Sequence, residues 1–167
     1  HQLFLLDQRF LPEEEVFLQM KNLQECHEAI HQMVVRGAPC IGFTAIYAMA
    51  LWIREQKELD LKSLRKACDY LISSRPTAVN LAFEVERCFV LASQMNSVEQ
   101  CYLEFVKFGD EQIRQSEEKN RQMSNFALKE LSQIYPDKKL NLMTHCNTGF
   151  LACGSHGTAL GVIVQTF

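Results

Sequence analysis

The stretch 40–53 constrains this chain most: all of its 14 residues are apolar except Gly42 and Thr44. Pro39 ahead of it suits the first helical position, where the missing N–H costs nothing, so a helix is expected from Pro39 through Ile41, Ala45, Ala48 and Trp52 to about Lys57. A helix with no polar face cannot lie on a surface, so the other elements must pack around it. At 14 residues it is shorter than the about 20 needed to cross a bilayer.

Amphipathic helices flank it. Asn22 and Glu25 form a capping-box pattern, followed by Cys26, Ile30 and Met33 on one face of a helix ending before Arg36. A third helix follows Asp60, with Leu61, Leu64, Cys68 and Leu71 inward, and a fourth is expected from Pro76, with Leu81, Val85, Cys88 and Ala92 inward. Ser97 caps a fifth helical stretch, broken near Gly109 and ending at Ile134; its charged middle, 110–121, reads as a solvated face. Before the first helix, alternation around Leu3 to Leu6 and Val16 to Met20, with Pro12 between, predicts two short strands.

After the turn signal Tyr135-Pro136-Asp137 the composition changes: four of the seven glycines fall in the last 19 residues. Leu140 to Thr144 reads as a buried strand, followed by a glycine-bearing loop and a helix beginning near Gly157, the order in which a nucleotide-type α/β domain opens. The expected fold class is therefore α/β overall. Residues 1–136 make a mostly helical N-terminal domain with a small β-sheet, and 137–167 make the truncated start of a Rossmann-like domain. The absence of an initial methionine and the apolar run 159–164 near the end suggest that both ends are cut from something longer.

The balance of 17 basic to 20 acidic residues gives a formal charge of -3, which argues against nucleic acid or an anionic membrane as principal partner. No basic leader with a small-residue cleavage site opens the chain. The seven scattered cysteines are read as reduced thiols, mostly small buried residues, in a cytoplasmic protein.

Three places carry chemistry. In Val35-Arg36-Gly37-Ala38-Pro39 and again in Ser74-Arg75-Pro76-Thr77, an arginine stands just ahead of an expected helix start. Unpaired N–H groups and the partial positive charge of a helix N-terminus favour an anion, and a guanidinium adds a bidentate donor matched to phosphate. Gly37 allows a ligand to approach the backbone. The alternative for each arginine is a surface residue or a structural cap. The third place is Thr144-His145-Cys146-Asn147-Thr148-Gly149, at the carboxyl end of the expected strand, where open α/β sheets bind ligands. A cysteine there can serve as acid, base or nucleophile. His145, Cys146, Cys153 and His156 also make up a zinc ligand set, but the adjacency of His145 and Cys146 is poor spacing for it. A cysteine hydrolase reading has no local signature to support it.

The segments Val34-Val35-Arg36-Gly37-Ala38-Pro39-Cys40-Ile41-Gly42, Ser74-Arg75-Pro76-Thr77-Ala78-Val79-Asn80-Leu81, and Thr144 to Gly149 leading into Gly157-Thr158-Ala159-Leu160-Gly161-Val162-Ile163 resemble the methylthioribose-1-phosphate isomerase family, in that order. Leu6-Asp7-Gln8-Arg9 and Leu11-Pro12 match its start. The resemblance implies a dimeric cytoplasmic enzyme that isomerises 5-methylthioribose 1-phosphate to 5-methylthioribulose 1-phosphate in methionine salvage, without metal or cofactor. By motif position, Arg36, Gly37, Ala38 and Arg75 would hold the phosphate and Cys146 would be the catalytic thiol.

Two departures qualify this expectation. The family's catalytic aspartate and further substrate-binding positions fall beyond Phe167, so the chain alone is expected to be inactive, with Leu142, Leu160 and Val162 leaving an apolar surface exposed. The tail Val164-Gln165-Thr166-Phe167 also lacks the basic residue expected there. The alternatives are a non-catalytic sugar-phosphate or nucleotide-binding regulator of the translation initiation factor 2B subunit type, whose members usually lack the cysteine motif, and ribose-1,5-bisphosphate isomerase.

Overall fold

The all-apolar helix is the hub around which the chain folds. In the computed structural model, which describes residues 2–166, α2 (Ala38–Arg54) packs against α1 (Leu23–His31), α3 (Leu61–Ser73), α4 (Val79–Ala92), α5 (Val98–Ile134) and α6 (Phe150–Cys153). His1 and Phe167, at the outer limits of the two expected domains, lie outside that range. Ile41, Ala45, Ile46, Ala48, Met49 and Ile53 are all buried. Fully burying side chains such as Ile46, Met49 and Ile53 stabilises the fold by about 1.5–3 kcal/mol each.

Strands β1 (Leu3–Leu6) and β2 (Phe17–Met20) form an antiparallel pair, with Leu3 opposite Met20 and Leu6 opposite Phe17. Leu5 and Met20 point into the core while Phe4 and Phe17 face out, as period-two alternation requires. Three helices start on side-chain caps legible in the sequence. Asn22 Oδ1 accepts from the Glu25 amide at 2.9 Å, Asp60 accepts from the Lys62 and Ser63 amides, and Ser97 Oγ accepts from the Gln100 amide at 3.2 Å. Glu25 completes its side of the box one residue early, accepting from the Lys21 amide at 2.8 Å.

Several expectations are corrected. Helix α1 ends at His31, and Met33 leaves the helix with φ 59° and a half-exposed side chain. Helix α2 ends at Arg54, short of Lys57. Helix α4 begins at Val79, not Pro76, because Ser74 and Arg75 donate their amides back to Leu71 and Ile72 and so continue the end of α3. Helix α5 runs its 37 residues without the expected break at Gly109. That glycine makes room for a neighbour: a Cβ there would lie 2.7 Å from Cζ of Tyr47, whose hydroxyl donates to Asp110. Residues 140–144 do not form a paired strand, since a strand requires a hydrogen-bonding neighbour and none lies beside them among the described residues. The last helix, α7, spans Ala159–Thr166 and packs on α5.

All seven cysteines are free thiols. Burial raises the pKa of Cys26 and Cys68 to about 12. Of the apolar residues expected to be uncovered near the end, Leu160 is exposed, Leu142 and Val162 are half-buried, and Met143 stands almost wholly in solvent. No described helix is long and apolar enough to cross a membrane.

Candidate functional site

Helix α2 opens at Gly37, whose φ of 91° is a conformation that side-chain-bearing residues rarely adopt. A Cβ on Gly37 would lie 2.2 Å from Cβ of Ala152, so this position also carries the close approach of α6 to the start of α2. Arg36 and Ala38 on either side are exposed. No side chain caps this helix. The same holds for α4, where Ala78 is the N-cap and its side chain offers no acceptor. Helices α1, α3 and α5, which no arginine turn precedes, all have side-chain caps.

The starts of α2 and α4 lie close together. A Cβ on Gly42, one turn into α2, would sit 3.5 Å from the carbonyl oxygen of Asn80 and 3.1 Å from Cγ of Glu84, so the first turns of α4 cross the beginning of α2. Glu84 is mostly buried there, and burial raises its pKa despite the nearby Arg87 guanidinium. Helix N-termini without side-chain caps, each preceded by an arginine turn, are the kind of place where an anion can be held.

Arg75 is half-buried in the turn between α3 and α4, with its carbonyl accepting from the Ala78 amide at 2.9 Å. Among the described residues its side chain makes no hydrogen bond or ion pair. It stands further ahead of its helix than the sequence indicated, because the turn 74–78 intervenes. Arg36 acts electrostatically on Asp7, which is buried. Asp7 accepts from Arg9 Nε at 2.8 Å and from Arg9 Nη2 at 2.6 Å, and these bonds hold its pKa below the ordinary carboxylate value, with Arg36 adding a smaller electrostatic contribution.

The cysteine loop reaches the same end of α2. Thr148 ties it shut: its carbonyl accepts from the Thr158 amide at 2.8 Å, and its hydroxyl lies 3.3 Å from that of Thr144. Gly157, at φ 79°, packs so closely that a Cβ would lie 2.9 Å from the Thr148 carbonyl oxygen. Cys146 sits in this loop with φ 71°, its thiol exposed. Four residues on, α6 lands on Gly37, and burial raises the pKa of Cys40 in α2 to about 11, with a small contribution from Cys153. Near the start of α2, with Arg36, Gly37 and Ala38, the chain thus brings the first turns of α4, which follow the turn of Arg75, and α6, which follows the loop of Cys146.

Residues without a local sequence signal hold this arrangement. Gln8 Nε2 donates to the Leu151 carbonyl at 3.1 Å, and Asn120 Nδ2 donates to the Cys153 carbonyl at 3.1 Å. His156 Nε2 lies 2.9 Å from Ser124 Oγ. The missing cap of α2 was readable at Gly37, whereas that of α4 was not, because the sequence pattern starts the helix at Pro76 and not after Ala78. Among the described residues, no three His, Cys, Asp or Glu side chains gather as a metal site; Cys153 is buried while Cys146 is exposed.

The fold is that of a mostly helical protein with a small antiparallel sheet, in which the starts of α2 and α4 and an exposed thiol stand near two arginine turns. Residues 34–166 match the model of the initiation factor 2 subunit family, and the chain belongs to that family. It is 39% identical to methylthioribose-1-phosphate isomerase 2 of Pseudothermotoga lettingae over 96% of this chain and 46% of that protein. It is also 39% identical to the methylthioribose-1-phosphate isomerase of Vitis vinifera, over 95% of this chain and 45% of that one. Among solved structures it resembles 5-methylthioribose 1-phosphate isomerase from Pyrococcus horikoshii OT3, with a TM-score of 0.82 at 29% identity, over 98% of this chain and 46% of that one. It also resembles translation initiation factor eIF-2B, subunit delta, from A. fulgidus, with a TM-score of 0.81 at 34% identity, over 99% of this chain and 48% of that one. The chain spans about half the length of the relatives it matches.

Proposed function

We propose that this chain supplies the phosphate-gripping and thiol-bearing part of an aldose-ketose isomerase acting on 5-methylthioribose 1-phosphate. The observation that carries the reading is the pair of uncapped helix N-termini, α2 and α4, lying together where the turns of Arg36 and Arg75 meet them. The relatives' names supply the substrate. The substrate's phosphate sits on the anomeric carbon, so the sugar ring must open while that carbon keeps its phosphate. Arg36, Arg75 and the backbone at Gly37 and Ala38 fix the phosphate and hence the two reacting carbons. Cys146 donates a proton to the ring oxygen as the ring bond breaks. Hydrogen then passes from the second carbon to the first, and the proton of the second carbon's hydroxyl leaves, so no net proton is consumed. The chemistry needs no metal or cofactor. A carboxylate partner for this step belongs to the part of the relatives that the chain does not span.

The wider reading follows from the same resemblance. Residues 1–136 form the N-terminal domain, 137–167 open a Rossmann-like domain, and the working enzyme is a cytoplasmic homodimer with its site between the two domains. The higher identity to the eIF-2B delta subunit than to the Pyrococcus enzyme favours one second reading, a regulator that binds a sugar phosphate without turnover.

The test is an isomerase assay on 5-methylthioribose 1-phosphate, using the chain alone and the chain joined to the C-terminal half of the Pseudothermotoga relative, each with and without Cys146→Ser. Turnover by the joined protein that falls at least about 100-fold in the variant supports the enzyme. Binding with no turnover in a folded joined protein supports the regulator, and turnover indifferent to Cys146→Ser contradicts the role given to the thiol.

A further inference from the structure

We infer that His31 is a positioning residue that sets the Arg75 turn against the Arg36 turn, an inference that rests on the phosphate-binding reading above. Helix α1 ends at His31, and its chain runs on through five residues to Gly37, so Arg36 is carried by the continuation of this helix. The His31 side chain reaches the other way. Its Nδ1 lies 3.1 Å from the carbonyl oxygen of Ser74, the residue directly before Arg75. A carbonyl can only accept, so Nδ1 carries the proton and donates.

One turn earlier, His27 supports the contact. Its ring stacks on Tyr70 of α3 at 4.3 Å between centroids, and its Nε2 lies 3.3 Å from Ser73 Oγ. Two histidines on one face of α1 therefore clasp the last turn of α3 where it delivers Arg75. The rest of that turn is held from within: Ser74 Oγ donates to the Leu71 carbonyl at 2.7 Å and the Arg75 amide to Ile72 at 3.3 Å. These local bonds fix the shape of the turn but not its place relative to α1 and the Arg36 loop. The His31 bond ties the end of α1, which leads into the Arg36 turn, to the backbone next to Arg75, with Ser74 buried at its far end. Because the Arg75 side chain has no bond of its own among the described residues, the aim of its guanidinium depends on the position of its backbone.

The contribution is to the ligand grip and not to the core, since His31 itself is exposed. Titration of the chain with inorganic phosphate and with 5-methylthioribose 1-phosphate should show His31→Ala weakening both about five- to tenfold. Thermal unfolding of the same variant should be nearly unchanged. His31→Asn, whose amide nitrogen can occupy the Nδ1 position, should recover most of the loss. In an Arg75→Ala background His31→Ala should change affinity less than about twofold, because the residue it positions is gone. An equal loss in that background, or no recovery with Asn, overturns the inference. Binding weakened by Arg36→Ala and Arg75→Ala but indifferent to His31→Ala sinks the inference and leaves the phosphate site standing. Absence of binding to either probe by the unmodified chain sinks both.

Discussion

The two arginine turns look alike in sequence, yet the fold holds them by different means. The Arg36 turn is part of the framework: Gly37 is pinned by a left-handed backbone conformation and by Ala152 of α6, and buried Asp7, paired with the exposed Arg9, lies within electrostatic reach of Arg36. The Arg75 turn hangs between two helices on backbone bonds and the His31 contact. On the proposed reading, one turn serves both stability and ligand binding, and the other serves ligand binding almost alone. Substitution of Gly37 should therefore unfold the protein before it informs on binding, whereas the exposed Arg36 and the Arg75 turn can be altered in a folded chain.

The largest effect expected from this contrast is at Gly37. Gly37→Ala places a Cβ into Ala152 and forces a side chain into a disfavoured conformation, and denaturant unfolding should show a loss of about 3 kcal/mol. A loss below about 1 kcal/mol would mean that α6 does not seat on α2 as described.

Asp7→Asn should cost about 1.5 kcal/mol at neutral pH by removing charge-assisted bonds from Arg9. The pKa of Asp7 is lower in the folded chain than in the unfolded one. Its contribution is therefore present above the unfolded value and is lost as pH falls through the folded value, so the two proteins should converge in stability in acid. A gap that stays constant down to the lowest pH at which the fold survives would contradict the ion pair.

Asn22→Ala removes the cap of α1, the helix that serves both turns, and should cost about 1 kcal/mol in thermal unfolding. Pro76→Ala, in the second turn, should cost under about 0.5 kcal/mol, because Pro76 is exposed and no longer starts a helix. A larger loss at Pro76 than at Asn22 would reverse the comparison.

Much of this was legible in the sequence because it is local. The apolar stretch 40–53 declared a central helix, and Asn22, Asp60 and Ser97 declared helix starts through hydrogen bonds that span three residues. The start of α4 was misplaced because proline at a first helical turn and proline within an interhelical turn give the same local signal. The difference lies in the Ser74 and Arg75 amides, which bond back to α3. Gly109 read as a break because a glycine shows what it lacks and not what fills the space, here the ring of Tyr47. For the candidate site, the types and order of Arg36, Gly37, Ala38, Arg75 and Cys146 were visible in the motifs. Their gathering was not. It depends on contacts such as Gln8 with Leu151 and Asn120 with Cys153, which join distant parts of the chain and leave no periodic trace.

The central claim is that both arginine turns grip one phosphate. The most direct measurement is a calorimetric titration of 5-methylthioribose 1-phosphate into the unmodified chain, Arg36→Ala, Arg75→Ala and the double variant. The account predicts one equivalent bound per chain, a loss of about tenfold or more for each single variant, and a double variant that loses less than the product of the two, because the arginines act on the same group. Independent losses that multiply, or binding that ignores either arginine, would contradict it.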